Sequence, residues 1–394
     1  MSTGRPVIRV RPREDRRIRN GVPWVFSNEI VMDAAAKSLA PGTLVELLSA
    51  EGARLACGYF NSRSLISVRL LGPSETEIDE DFFAARFTRA NRLRECFYSS
   101  PFFRMVNAEG DGLPGLIIDR FGEVCVVQIT TAGMENLLAP IIAALDRAVS
   151  PSAILLRADS PARALEGLEL YSRCAKGEVP GKIALEENGA RYFADPVQGQ
   201  KSGWYYDQRE NRSFMARLSA PRVLDAYCYT GGFGVLAALM GAGTVIGLDS
   251  SEPALALAAE AAAENDVARK CRFVRCDIWE ELERMNADRQ HFNAVICDPP
   301  PFARSRKDLE PAARAYRKLA RMAAGLVEPG GSLFLASCSH AVSTERFSQE
   351  CAAGIARTGR TAALIRSAGA GPDHPVHPML PESAYLKTLV YSLN

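Results

Sequence analysis

The chain has 394 residues, more than one ordinary hydrophobic core accommodates, so two or three domains are expected. Its 47 basic and 46 acidic side chains leave a net charge of +1, which favours no class of partner. No run of eighteen apolar residues and no signal peptide is present, so a soluble protein is expected. The ten cysteines form no Cys-x-x-Cys pair and no His/Cys metal spacing, which points to a reducing cytoplasm and to no metal.

The first twenty residues gather Arg5, Arg9, Arg11, Arg13, Arg16, Arg17 and Arg19 against Glu14 and Asp15. They read as a phosphate-binding face or a solvated terminus. Short alternating segments from Val7 to Leu71, with Gly and Pro between them, predict a small β-barrel over residues 1–73. Phe82 to Phe97 reads as an amphipathic helix with arginines on one face. Gly115 to Ala175 reads as strand, helix and strand, giving a connecting α+β domain over 74–187. Between them, Glu109-Gly110-Asp111-Gly112 is a turn needing unusual φ values. Beyond the boundary, Lys201, Arg209 and Arg212 are interleaved with Trp204, Tyr205 and Tyr206. Such a mixture can stack a base and neutralise phosphate, or it can be a charged helix start with aromatic residues in the core.

Residues 223–234 predict a buried strand that ends near Asp225 and runs through Tyr227 and Tyr229 into Gly231, Gly232, Phe233 and Gly234 at the start of a helix. Glycines there let the backbone approach a ligand where a Cβ would collide, as in a nucleotide-cofactor site. Three more strands follow, ending at Asp249, Asp277 and Asp298, with Pro253 to Asn265 as a crossover helix. Asp249 lies 24 residues after Asp225, the interval at which an acid reaches a ribose hydroxyl in a βαβ unit. Four acids at the carboxyl ends of parallel strands converge on one crevice, although each alone also suits a strand-end turn. The turn Asp298-Pro299-Pro300-Pro301 is stiff and cannot pair further in a sheet. A fifth strand, Gly330 to Ala336, leads to Cys338 at the same edge, either a nucleophile or a core thiol. His374 and His377 lie between prolines at a spacing that could suggest a metal, but with no acid or cysteine at fitting intervals the segment reads as a rigid loop over the substrate pocket.

The order of glycines and strand-end acids resembles class I S-adenosylmethionine-dependent methyltransferases. Three further stretches, Asn107 to Arg120, Gln200 to Arg212 and Gly369 to Pro378, are similar to signatures of the bacterial large-subunit ribosomal RNA cytosine-5 methyltransferases that carry an N-terminal PUA domain. The resemblance runs nearly end to end. It implies an α/β fold, with a Rossmann-like methyltransferase domain over 188–394 preceded by a PUA-like β-barrel and the α+β connector. It also implies S-adenosyl-L-methionine as cofactor, held by Gln200, Lys201, Ser202, Asp207, Arg209, Asp225, Tyr227, Tyr229, Gly231, Phe233, Asp249, Asp277 and Asp298. Asp225 would face the methionine part, Asp249 the ribose and Asp277 the adenine. Cys338 would attack a cytosine beside Asp298 and Pro299. A thiolate added to carbon 6 of a pyrimidine makes carbon 5 nucleophilic enough to take a methyl group. The implied partner is large-subunit ribosomal RNA, with room for a homodimer. The sequence departs from the family's pattern at Pro301, where lysine is common, and at Ser202, where threonine is. A guanine ring-nitrogen-7 enzyme, a uracil carbon-5 enzyme and an inactive RNA-binding assembly factor stay open.

Overall fold

The computed structural model describes residues 4–218, 221–303 and 305–394. By its contacts the chain divides into two units, one formed by Met1–Gly181 with Pro372–Ser383 and the other by Lys182–Gly371 with Ala384–Asn394.

The first unit contains two five-stranded sheets. Strands β1 (Val7–Arg9), β2 (Trp24–Phe26), β3 (Thr43–Leu48), β4 (Arg54–Phe60) and β5 (Ile66–Gly72) are arranged in the order β1-β3-β4-β5-β2. Strands β6 (Phe102–Asn107), β7 (Leu116–Phe121), β8 (Val124–Ile129), β9 (Ala153–Ala158) and β10 (Tyr171–Lys176) form the second sheet, ordered β10-β9-β8-β7-β6. The helix expected at 82–97 spans Glu80–Glu95, with Asp79 accepting from Phe82 N at its start. Its arginines do not all face water. Arg94 is fully buried and makes a bidentate pair with Asp111 at 2.7 Å, because this helix packs on β6 and covers the 107–111 turn. Tyr59 and Leu71 of the first sheet enter the core formed by Phe83, Phe87 and Ile118, so the two sheets share apolar packing. The proline-rich segment closes on this unit, since Arg94 also donates to Asp373 O and Asn107 to Pro375 O.

The second unit begins with a hairpin, β11 (Ile183–Glu187) and β12 (Ala190–Ala194), and continues into β13 (Arg222–Ala226), β14 (Thr244–Asp249), β15 (Cys271–Arg275), β16 (Phe292–Cys297), β17 (Val327–Ser337), β18 (Ala362–Ala368) and β19 (Lys387–Leu393). These seven strands form one sheet in the order β15-β14-β13-β16-β17-β19-β18. The first five run parallel, and β19 is antiparallel to β17 and β18. Strands buried on both faces need apolar residues throughout, which explains the continuous runs Val295-Ile296-Cys297 and Leu333-Phe334-Leu335. The order reverses at β13, and all five parallel strands present their carboxyl ends to one edge.

Candidate active site

After β13 the chain turns through Tyr227 (φ 64°), Tyr229 (φ 49°) and Gly231 (φ 80°) before entering the helix Gly232–Leu239. Two tyrosines in left-handed conformation cost on the order of 1 kcal/mol or more each, so the surroundings must fix the turn. Asp249 does so by accepting Tyr229 N (2.9 Å) and Ser251 N (2.9 Å). Asp225 accepts Gly234 N (2.8 Å). A Cβ at Gly234 would lie 2.9 Å from Val245 Cγ1 and 3.1 Å from Asp225 Oδ2, so no larger residue fits this first helical turn. Asp277, exposed, accepts Trp279 N and Glu280 N at the start of the helix Ile278–Ala287. Phe233 is turned into the sheet, its ring centroid 5.1 Å from that of Phe334.

The segment ahead of β13 separates into two layers. Glu187 is buried and takes Arg212 (2.6 Å), Trp204 Nε1 (3.0 Å) and Arg209 (3.4 Å). Trp204, Tyr206, Arg209 and Arg212 therefore belong to the interior, and the expectation of a phosphate-neutralising face is corrected for both arginines. The hairpin β11–β12 supplies the carboxylate that pulls them in, which local sequence does not announce. Ser202 is buried as well, within reach of Trp204 O at 3.4 Å. Lys201 and Gln200 are exposed. Lys201 Nζ stands 5.0 Å over the Tyr205 ring, and Tyr205 Oη donates to Gln200 Oε1 at 3.0 Å. Tyr205 packs edge-on against Tyr229 at 5.3 Å, so this outer layer meets the strained turn.

Strands β16 and β17 are neighbours with Cys297 opposite Leu335, which sets Asp298 and Cys338 at adjacent strand ends. Cys338 is half-buried between two fully buried serines. Tyr316 Oη bonds Ser337 Oγ (2.8 Å) and Ser339 Oγ (2.9 Å), and Ser339 Oγ accepts Ala303 N (3.2 Å). One buried hydroxyl cluster thus ties the Cys338 loop to the loop that starts with Asp298, Pro299 and Pro300. Lys387, also buried, donates to Ser339 O and Val342 O. Sequence reading missed Tyr316, Ser337, Ser339 and Lys387. The signals were the serines flanking Cys338 and a lone lysine heading an apolar strand.

Charge at this edge is unbalanced. Burial raises Asp225 from 3.8 to about 7, with Asp298 and Asp249 adding to it. Burial and then Asp207 push Asp298 to about 7, against Arg212, a hydrogen bond from Gln208, and Lys201. Burial and Asp298 push the Cys338 thiol up to about 11, while Lys201 lowers it. A cation placed among these acids would relieve all of them.

The family model for S-adenosylmethionine-dependent methyltransferases matches residues 170–391, and that for a PUA-like domain matches 8–73. The chain belongs to the S-adenosylmethionine-dependent methyltransferases. Among its relatives, a Pseudoalteromonas atlantica protein named ribosomal RNA large subunit methyltransferase I is 33% identical over 389 residues, covering 97% of this chain and 98% of that one. A Shewanella amazonensis protein of the same name is 34% identical over 390 residues, with the same coverage. Two solved structures share the fold. One, a Streptococcus mutans protein described as a SAM-dependent methyltransferase, has a TM-score of 0.83 at 19% identity, covering 98% of this chain and all of that one. Another, described as a methyltransferase complexed with SAH, has a TM-score of 0.84 at 20% identity with the same coverage.

The cofactor of this methyltransferase is S-adenosylmethionine, and the β13 edge fits it. Asp225 Oδ1 and Tyr227 Oη are buried with no hydrogen-bond partner among the described residues. Orphaned acceptors beside raised carboxyls suit a ligand that brings an ammonium and a sulfonium. No helix among the described residues is long and apolar enough to cross a membrane.

Proposed function

We propose that this methyltransferase forms 5-methylcytosine in large-subunit ribosomal RNA, with Cys338 as the nucleophile. The observation that carries it is a half-buried thiol at the end of β17, fastened by two serines beside the Asp298 turn. The RNA class comes from the names of the full-length relatives. In this reading residues 1–73 contact RNA, 74–187 connect and 188–394 carry the chemistry, in a cytoplasmic enzyme whose ten cysteines are free.

Bound S-adenosylmethionine supplies an electrophilic methyl group. Asp225, with the Tyr227 to Gly231 turn, holds the amino-acid end of that ligand, Asp249 its ribose and Asp277 its adenine, with Gln200, Lys201 and Tyr229 closing the outer side. The target base is flipped to the edge between Asp298 and Cys338. The Cys338 thiolate, its proton given to water, bonds to carbon 6 of the cytosine as the carbon 5–carbon 6 double bond opens and leaves carbon 5 nucleophilic toward the methyl group the cofactor would supply. Loss of the carbon-5 proton to water then re-forms the double bond as the sulfur–carbon bond breaks and the thiolate returns. The stiff Pro299–Pro300 backbone keeps Asp298 in place during these steps.

Mapping of methylated nucleotides by mass spectrometry in ribosomal RNA from cells with and without the gene tests the substrate. Loss of one 5-methylcytosine is expected. Loss of a methylguanine instead would discard the thiol mechanism.

A further inference from the structure

Lys387 opens β19 and faces Ser337 in register, one residue before Cys338. Its side chain is 6% exposed, and its Nζ donates to two carbonyls, Ser339 O at 2.8 Å and Val342 O at 2.9 Å. Among the described residues no carboxylate forms an ion pair with it. Carbonyl dipoles satisfy donors without neutralising charge, and a buried ammonium lacking a counter-ion is costly. A clamp on two carbonyls needs only a neutral donor, so an ammonium here calls for an anion that forms nearby.

Several titratable groups are coupled electrostatically to Cys338. Asp298 and Asp207 oppose its ionisation, Lys201 favours it, and the hydroxyls of Tyr205 and Tyr316 are each raised in part by Cys338. Lys387 is lowered by its own burial and raised by Cys338. Of the two cations in the set, Lys201 is exposed and screened, whereas Lys387 lies inside the protein.

We propose that Lys387 is a positioning residue, whose buried ammonium fixes the loop after Cys338 and serves as counter-ion to the Cys338 thiolate. This rests on Cys338 being the nucleophile. On ionisation the S–H bond breaks, the proton leaves to water and the electron pair stays on sulfur, and the pairing holds at pH values below the lowered Lys387 range, where its nitrogen is charged.

Iodoacetamide alkylation of Cys338, resolved by peptide mass between pH 7 and pH 9, tests it on the full-length protein. Lys387→Met should react about tenfold more slowly at pH 8, its profile displaced upward by about one pH unit, since thiolate fraction sets the rate. Ser339→Ala loosens the same loop without changing charge, so it should scale the alkylation rate equally at every pH and leave the pH position of the profile unmoved. Calorimetric S-adenosylmethionine binding shows which variants are folded. If Lys387→Met does not bind cofactor, Lys387→Gln removes the charge while keeping a donor. A folded charge-removing variant with the wild-type profile overturns the inference. If both unfold, Lys387→Arg decides, because an equally large upward displacement with the charge retained would overturn it too. Failure of the underlying reading shows separately, as RNA methylation retained by Cys338→Ala.

Discussion

Asp225 combines a raised carboxyl with an oxygen that has no partner among the described residues, so its ionised form strains the ligand-free protein. A carboxyl raised from 3.8 to about 7 in the fold contributes stability that is complete below the unfolded value and is lost as pH rises through 7. Asp225→Asn keeps an acceptor for Gly234 N and cannot ionise. We expect it to stabilise the ligand-free protein at pH 8 by roughly 1–3 kcal/mol, or a few degrees in Tm, with the gain gone by about pH 4. Thermal unfolding across that range checks the sign, and the same variant should bind S-adenosylmethionine more weakly. Asp249→Ala should weaken cofactor binding about ten- to a hundredfold, by loss of a charge-assisted hydrogen bond. Unchanged calorimetric affinity would remove Asp249 from the site. At the other pole, Cys338→Ala should bind cofactor and RNA but transfer no methyl group, and RNA containing 5-fluorocytosine should trap a covalent adduct with wild type only. Cys297, fully buried one residue before Asp298, should tolerate Ala with activity retained.

The element that governs the cofactor edge is the turn from β13 into the helix Gly232–Leu239. At Gly231, φ is +80° and a Cβ would sit 2.9 Å from Ala258 Cβ. Gly231→Ala therefore meets both backbone strain and a clash with the helix Glu252–Glu264, whose crowded atom is a short, immobile side chain. A loss of about 1–3 kcal/mol in stability is expected, together with loss of cofactor binding. Chemical denaturation and calorimetry measure the two effects, and wild-type values in both would refute the strained-turn account. The strand ends and crossover helices were legible because a parallel sheet with both faces covered writes long apolar runs that stop at an acid. Arg94, Arg209 and Arg212 were not, since an arginine is buried only where folding brings a carboxylate to it, and Asp111 and Glu187 lie 17 to 25 residues away.

For the whole molecule, the salt dependence of RNA binding is the informative measurement. Removing residues before Gly72 is a poor probe, because it would strip Tyr59 and Leu71 from the core around Phe83 and Phe87 and take away the hydrogen bond from Tyr59 Oη to Pro114 O. Substitution of exposed Arg9, Arg13 and Arg16 by Gln leaves that packing alone. If these side chains meet phosphates, the triple variant should bind large-subunit RNA fragments more weakly and flatten the slope of log affinity against log salt by about two. Cofactor affinity should not change. An unaltered slope would move the RNA-contacting surface elsewhere.

The sequence by itself determined the alternation of strands and helices and the set of strand-end acids, because periodicity, glycines and acids at fixed intervals are local properties of the chain, and its resemblance to a known family supplied the PUA-like start and the cofactor class. Tertiary structure alone decided which of the nominated side chains are exposed and which are buried. Lys201 is exposed and Arg209 buried within the same stretch, because one hairpin carboxylate, Glu187, draws in the second. It also decided what holds Cys338. Tyr316, Ala303 and Lys387 come from a helix, a loop and an antiparallel strand well separated along the chain, and only the sheet order that sets β16 beside β17 and β17 beside β19 brings their donors to the two serines and carbonyls of that loop.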